Sequence, residues 1–394
     1  MNKLIALKKA LKTIISSDNK LYDAPPIREH PRSNIMVKIS HVSAFTYANA
    51  GDTVLPLAVR DSMQLASDEL IEWQGVRVHG TVDNKYIDLL NATNGVVIGG
   101  GGLFLKDTNK NQESGWQWAC SMANFNKIKV PVALFAVGYN RFRDQDDFDP
   151  IFTKNINNFI EKCVFFGLRN SGSIKNMKRY IDPKFHHKVK FQPCPTTILS
   201  KLYPELTVRK PVEKPFIAFN CAFDRPELRF GQEATQKLAA IARVAKKLSK
   251  DYVIKYFVHC LPDETFLPYL DEEKVDYEIV NLQIHPRLIV EEYSKPALTI
   301  GMRGHAQMIP FGCQTPILSI ISHEKVKWFL KDINHLDWGC DIQSSTFEEE
   351  LEEKALYILN NKELIATQLA EAQDELFDVT KDNVELLAKS FKLR

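Results

Sequence analysis

Short apolar runs alternate with helix-period segments twice along this chain, and each run stops at glycine or at a cluster of polar residues. In the first round Ile35–Ser40, Gly95–Phe104, Val130–Gly138, Cys163–Leu168 and Val189–Gln192 read as strands. In the second, Phe216–Phe219, Tyr252–Cys260, Tyr277–Leu282, Pro296–Ile300 and Pro316–Ile321 do the same. Runs this short and this apolar suit strands buried on both faces, and the helical segments between them supply the crossovers that parallel strands require. Between the two rounds, Leu206–Pro215 loses the apolar period and gathers Arg209, Lys210, Pro211, Lys214 and Pro215, which is linker chemistry. The expected fold is therefore α/β, with two Rossmann-like domains facing a cleft. The expected division is an N-terminal domain over 1–205, a linker over 206–215, and a C-terminal domain over 216–394 ending in a long helical region.

The totals narrow the function. A chain of 394 residues is long for one core and natural for two. A formal net charge of +2 gives no reason to expect a nucleic-acid partner. The seven cysteines are scattered without a CxxC pair, so they read as reduced core residues, and neither zinc nor another metal is expected. No apolar run is long enough to span a bilayer. At the N-terminus Leu4, Leu7, Leu11, Ile14 and Ile15 share one helical face, while Lys8, Lys9 and Lys12 interrupt any signal-peptide core. Such a helix docks on the body of the protein or, as the alternative, touches an anionic membrane surface.

Chemistry collects where strands end. Asn49-Ala50-Gly51-Asp52 enters a helix, so Asp52 or Thr53 is a candidate N-cap, and the free N–H groups there suit an anion. The run Val96-Val97-Ile98 stops in four glycines, Gly99 to Gly102, which read as a loop open to close approach of a ligand. Arg169 follows Gly167-Leu168 where a strand feeds a helix. Arg303 and His305 follow Ile300-Gly301 in the same way, bringing a cation and a titratable ring to a strand end. His259, Asp263 and Glu264 read as an ordinary polar loop, with the wall of a substrate site as the alternative.

Four stretches, Asn49–Asp52, Val96–Gly102, Gly167–Asn170 with Ser173, and Gly301–His305, together and in this order resemble the polysaccharide pyruvyl transferase family. The resemblance implies a GT-B-like fold and transfer of a pyruvyl group from phosphoenolpyruvate to a pair of sugar hydroxyls, as a ketal, without metal or other cofactor. It implies Arg169 and Arg303 as anion clamps, His305 as proton donor, and Asp52, Gly99, Gly100 and Gly101 as substrate-facing residues. Two guanidinium forks suit a donor that carries both a carboxylate and a phosphate. The acceptor would be a sugar of a cell-surface polysaccharide or its precursor, free or lipid-linked. The enzyme would then be cytoplasmic, with peripheral contact at the inner face of the membrane. The competing readings are a GT-B glycosyltransferase using a nucleotide sugar, and a non-catalytic member of the fold.

Overall fold

The computed structural model describes residues 21–22, 27, 36–106, 110–142, 145–209 and 212–393. The amphipathic segment at residues 4–15 and most of the proline-bearing stretch after it lie outside the described residues. In the first sheet the strands are β1 (Leu21–Tyr22), β2 (Met36–Ser43), β3 (Leu70–Arg77), β4 (Gly95–Phe104), β5 (Val132–Tyr139), β6 (Phe165–Leu168) and β7 (Val189–Phe191). They lie in the order β1-β3-β2-β4-β5-β6-β7, parallel except for β1, which pairs antiparallel with β3. The second sheet comprises β8 (Phe216–Asn220), β9 (Val253–Val258), β10 (Tyr277–Asn281), β11 (Leu298–Gly301), β12 (Ile317–Ile321) and β13 (Gly339–Asp341). Its order is β10-β9-β8-β11-β12-β13, and every pairing is parallel.

Both sheets reverse direction at one place. In the first the chain leaves β2, builds β3 on one side and β4 on the other; in the second it does the same around β8, with β9 and then β11. Helices after the strands on either side of such a reversal lie on opposite faces, which opens a crevice at the carboxyl ends. Helices α1 (Ala50–Gln64), α2 (Ser171–Met177), α3 (His305–Gly312) and α4 (Glu324–Asp332) each begin shortly beyond a strand end, and the long α5 (Lys362–Phe391) comes last in the chain.

The carboxyl ends of the sheets are tied together. The Ala50 N–H donates to the His259 carbonyl at 3.1 Å, and the Ser171 N–H, opening α2, donates to the Asp332 carboxylate at 3.0 Å. Trp328 packs so tightly on Gly172 that a Cβ there would lie 1.9 Å from the indole. Helix α5 crosses back from the second sheet to the first: Asn383 Nδ2 donates to the Phe191 carbonyl at 2.8 Å, and Phe391 packs on Gly95. The end of the chain thus contributes to the core beneath both sheets, while the proposed division at 206–215 follows the strand sets alone. All seven cysteines are free, and six are buried. No helix among the described residues is long and apolar enough to cross a membrane.

Candidate active site

A cavity of about 600 Å³ opens between the two sets of carboxyl strand ends. Of the residues singled out in the sequence, it brings together Asp52, Gly101, Gly102, Arg169, His259, Arg303 and His305.

Arg303 leaves the end of β11, and its guanidinium is already engaged. Nε donates to Asp263 Oδ2 at 3.0 Å and Nη2 to Oδ1 at 2.6 Å, the two-pronged manner that matches guanidinium to carboxylate. Nη1 donates to Asp224 at 3.0 Å and Nη2 also to Cys260 Sγ at 2.9 Å. Asp263 is fully buried and fixed in turn by the Asn220 side chain and the His259 N–H, each at 3.1 Å. Burial opposes the charge on Arg303, but the bonds and charges of Asp263 and Asp224 outweigh it and raise its pKa above the ordinary arginine value.

Arg169 is the opposite case. It is only 7% exposed, its Nε has no hydrogen-bond partner among the described residues, and burial lowers its pKa. Room for the guanidinium is made by Gly138 at the end of β5, where a Cβ would lie 2.1 Å from Nε. The strand ends beside it are irregular. The β4–β5 register shifts between Gly101 and Phe104, and Ala136 takes a positive φ of 53°. Bulges of this kind re-aim strand ends toward a site.

Lys325, in the first turn of α4, is a third cation in the cavity. Its Nζ donates to Asn140 Oδ1 at 3.1 Å. Burial, with the nearby Arg229 and Arg169, pulls the ammonium down to about 7, although Asp224 acts against the shift.

His305 is the first residue of α3. Its Nε2 lies 3.7 Å from Cys194 Sγ, and its ring packs on Gly51, where a Cβ would meet Nδ1 at 2.2 Å. Burial, with Arg169 and Lys325 nearby, lowers its pKa to about 3, so in the empty cavity the imidazole is neutral at physiological pH. Asp52 sits in the first turn of α1. Asn49 rather than Asp52 or Thr53 caps that helix, its Oδ1 accepting from the Gly51 N–H at 2.9 Å. Burial raises Asp52 to about 6 against the pull of Arg303, Lys325 and Arg169.

The four glycines form part of β4 rather than a loop. Gly101 and Gly102 line the cavity, whereas Gly99 and Gly100 do not. At Gly99 a Cβ would lie 1.9 Å from the Phe135 carbonyl oxygen, and Gly100, with φ of +71°, would press on Leu55 at 2.8 Å. These two serve close packing of β4 against its neighbours.

The family model for polysaccharide pyruvyl transferase matches residues 66–324, the main body of the chain. The chain belongs to the polysaccharide pyruvyl transferase family. Membership makes it a transferase. A search of curated proteins gives no match. Among solved structures, this pyruvyl transferase family member is similar to the S. aureus MnaA–UDP co-structure, with a TM-score of 0.55 and 12% identity over 91% of this chain and 98% of the other. It is also similar to UDP-GlcNAc 2-epimerase from Neisseria meningitidis bound to UDP-GlcNAc, with a TM-score of 0.53 and 13% identity over 89% and 100%. A glycosyltransferase from Rickettsia africae gives 0.53 and 10% over 91% and 97%. Identities this low establish the shared fold, two Rossmann-like halves of GT-B type.

Sequence reasoning missed Lys325, Asp224 and Arg229, all of which line the cavity. For Lys325 a signal existed: it follows the end of β12 by four residues, the same strand-to-helix position that drew attention to Arg169 and Arg303. His259, placed in a polar loop, is fully buried at the cavity wall; its Nδ1 has no partner among the described residues.

Proposed function

We propose that this family member transfers the pyruvyl group of phosphoenolpyruvate to two hydroxyls of a sugar in a cell-surface polysaccharide or its precursor. What carries the reading is the surplus of positive charge in the cavity. Arg169 is buried with an Nε that has no partner among the described residues, and Lys325 is pressed down to about 7 by burial and neighbouring arginines. A multiply charged anion relieves both. A carboxylate and a phosphate on one small molecule supply that charge.

The reaction balances without any further reactant. Phosphoenolpyruvate and two hydroxyls give the ketal and hydrogen phosphate. Two carbon–oxygen bonds form at C2, its bond to the phosphate oxygen breaks, one hydroxyl proton is made good at the methylene carbon, and the other leaves on phosphate. Arg169, Arg303 and Lys325 hold the donor's anionic groups. Burial still opposes the charged ring, but a multiply charged donor that offsets Arg169 and Lys325 raises the His305 pKa, and the imidazolium then protonates the methylene carbon. Asp52, raised to about 6, is ionised for the most part at neutral pH and accepts the hydroxyl proton. Glycines 101 and 102 let the substrate approach the β4 backbone. A lipid-linked acceptor would bring the enzyme to the inner face of the membrane.

Calorimetric titration of phosphoenolpyruvate and of nucleotide sugars into wild type, Arg169→Ala and Arg303→Ala tests this. The expected result is saturable phosphoenolpyruvate binding that both variants lose. Two of the similar solved structures are complexes with UDP and with UDP-GlcNAc, so nucleotide sugars are the competing donors. Binding of one of these in place of phosphoenolpyruvate would overturn the reading in favour of glycosyl transfer. Unchanged transfer by His305→Ala would remove that residue's role.

A further inference from the structure

We infer that Asp224 is an exchangeable counter-ion: its carboxylate holds the anion site of the empty cavity and is displaced from Arg303 when the anion of the donor arrives. The identity of that donor rests on the reading above; the exchange itself does not.

Guanidinium geometry leads to this assignment. A guanidinium offers its N–H groups in a fixed planar fork. On Arg303 the side formed by Nε and Nη2 belongs to Asp263. Asp263 cannot yield, because it is fully buried and its oxygens also accept from Asn220 and the His259 N–H. What remains of the fork meets Asp224 through Nη1 and Cys260 through Nη2, and both of these partners line the cavity. A donor group that takes two N–H bonds from Arg303 must therefore take the place of Asp224.

Asp224 is suited to leave. Its side chain is 35% exposed, against 0% for Asp263. It stands just beyond β8, and the next residue, Arg225, holds a left-handed φ of 56°, uncommon for a side chain of that size. It also has somewhere to stay. Arg229, 2% exposed, holds Asp224 Oδ2 through Nη2 at 2.8 Å and the Asp224 carbonyl through Nε at 2.8 Å. Arginines 229 and 303 keep the carboxyl down at about 2 despite burial, so it is ionised whenever the protein is folded near neutrality. An unfilled cluster of buried cations is costly; a carboxylate supplied by the chain neutralises it until substrate comes. The exchange also sets a threshold, since an anion occupies the fork only if it binds there better than a carboxylate already paired with two arginines.

The test uses the full chain with inorganic phosphate and phosphoenolpyruvate as probes. Asp224→Asn is expected to bind phosphate on the order of 10-fold more tightly than wild type, with a lower unfolding midpoint when empty and a larger gain on adding phosphate. A crystal structure of wild type with phosphate bound is expected to show Asp224 Oδ1 parted from Arg303 Nη1 and still held by Arg229. Weaker or equal phosphate binding by the variant, or a bound structure that keeps the Arg303–Asp224 contact, would overturn the exchange. The structure of the wild-type complex decides the matter even if the variant fails to fold. Should phosphate displace Asp224 while phosphoenolpyruvate does not bind, the donor assignment falls and the exchange stands. Should phosphoenolpyruvate bind with the contact intact, the exchange falls and the donor assignment stands.

Discussion

Arg169 and Arg303 occupy equivalent places, each just beyond a parallel strand at the mouth of the cavity, and both drew the same expectation of gripping an anion. Their surroundings are opposite. Arg303 arrives with its counter-charges built in, Asp263 beneath it and Asp224 beside it. Arg169 is more deeply buried and leaves Nε without a partner among the described residues. A paired buried arginine is a fixed part of the wall, costly only if the pair is broken. A cation with an unmet donor stores an uncompensated desolvation cost that a bound anion can release, so on the proposed reading Arg169 would contribute most when the site is filled.

The comparison breaks most severely at Asp263. Asp263→Ala leaves Arg303 buried beside an emptied position, and a stability loss of about 3–5 kcal/mol is expected in denaturant unfolding. A loss below about 1 kcal/mol would mean that Arg303 relaxes into solvent and is no fixed part of the wall. The corresponding disturbance on the other side is Gly138→Ala. The new methyl would fall 2.1 Å from Arg169 Nε and push the guanidinium out of line. Phosphate release from phosphoenolpyruvate with acceptor should drop on the order of 100-fold. Wild-type turnover in this variant would show that the position of Arg169 does not matter.

Arg169→Met sharpens the contrast in sign. Removing a charge whose donor is unmet should raise the unfolding free energy of the empty protein by roughly 1–2 kcal/mol while abolishing donor binding. A fall in stability would place Arg169 with Arg303 among paired arginines. The smallest expected effect is on protons. Lys325 titrates at about 7 in the empty cavity, and a bound anion raises that value. Donor affinity should therefore be steady, as far as this group is concerned, below about pH 7 and weaken toward tenfold per unit above it. Calorimetry at about pH 8 in buffers of different ionisation enthalpy should register proton uptake of up to about one per donor, diminished in Lys325→Met. Equal uptake in the variant would assign the proton to another group.

Strand ends were legible because periodicity and breakers are local. The apolar runs became β2 and β4 to β12, and Arg169, Arg303 and His305, which line the cavity, stood out because each follows such a run. Lys325 carried the same positional signal beyond β12 but stood among the lysines of an amphipathic helix, where a charged residue in the first turn also reads as surface; the packing of α4 against α2 and the bond to Asn140 place it in the cavity. Gly99 and Gly100 were misjudged for a related reason. A glycine announces close approach, but not of what, and here the neighbour is the Phe135 carbonyl and Leu55 rather than a ligand.

The sequence by itself determined the alternation of strand and helix, and with it the parallel sheets and the delivery of Asp52, Arg169, Arg303 and His305 to strand ends, because each depends on residues near one another in the chain. Tertiary structure decided their charges. Asp263 is 40 residues from Arg303 and Asp224 is 79, while Asn140 is 185 from Lys325. Whether a cation meets a carboxylate, an amide or no partner is set by which strand ends the folded sheets bring together, and that sets how strongly it attracts an anion.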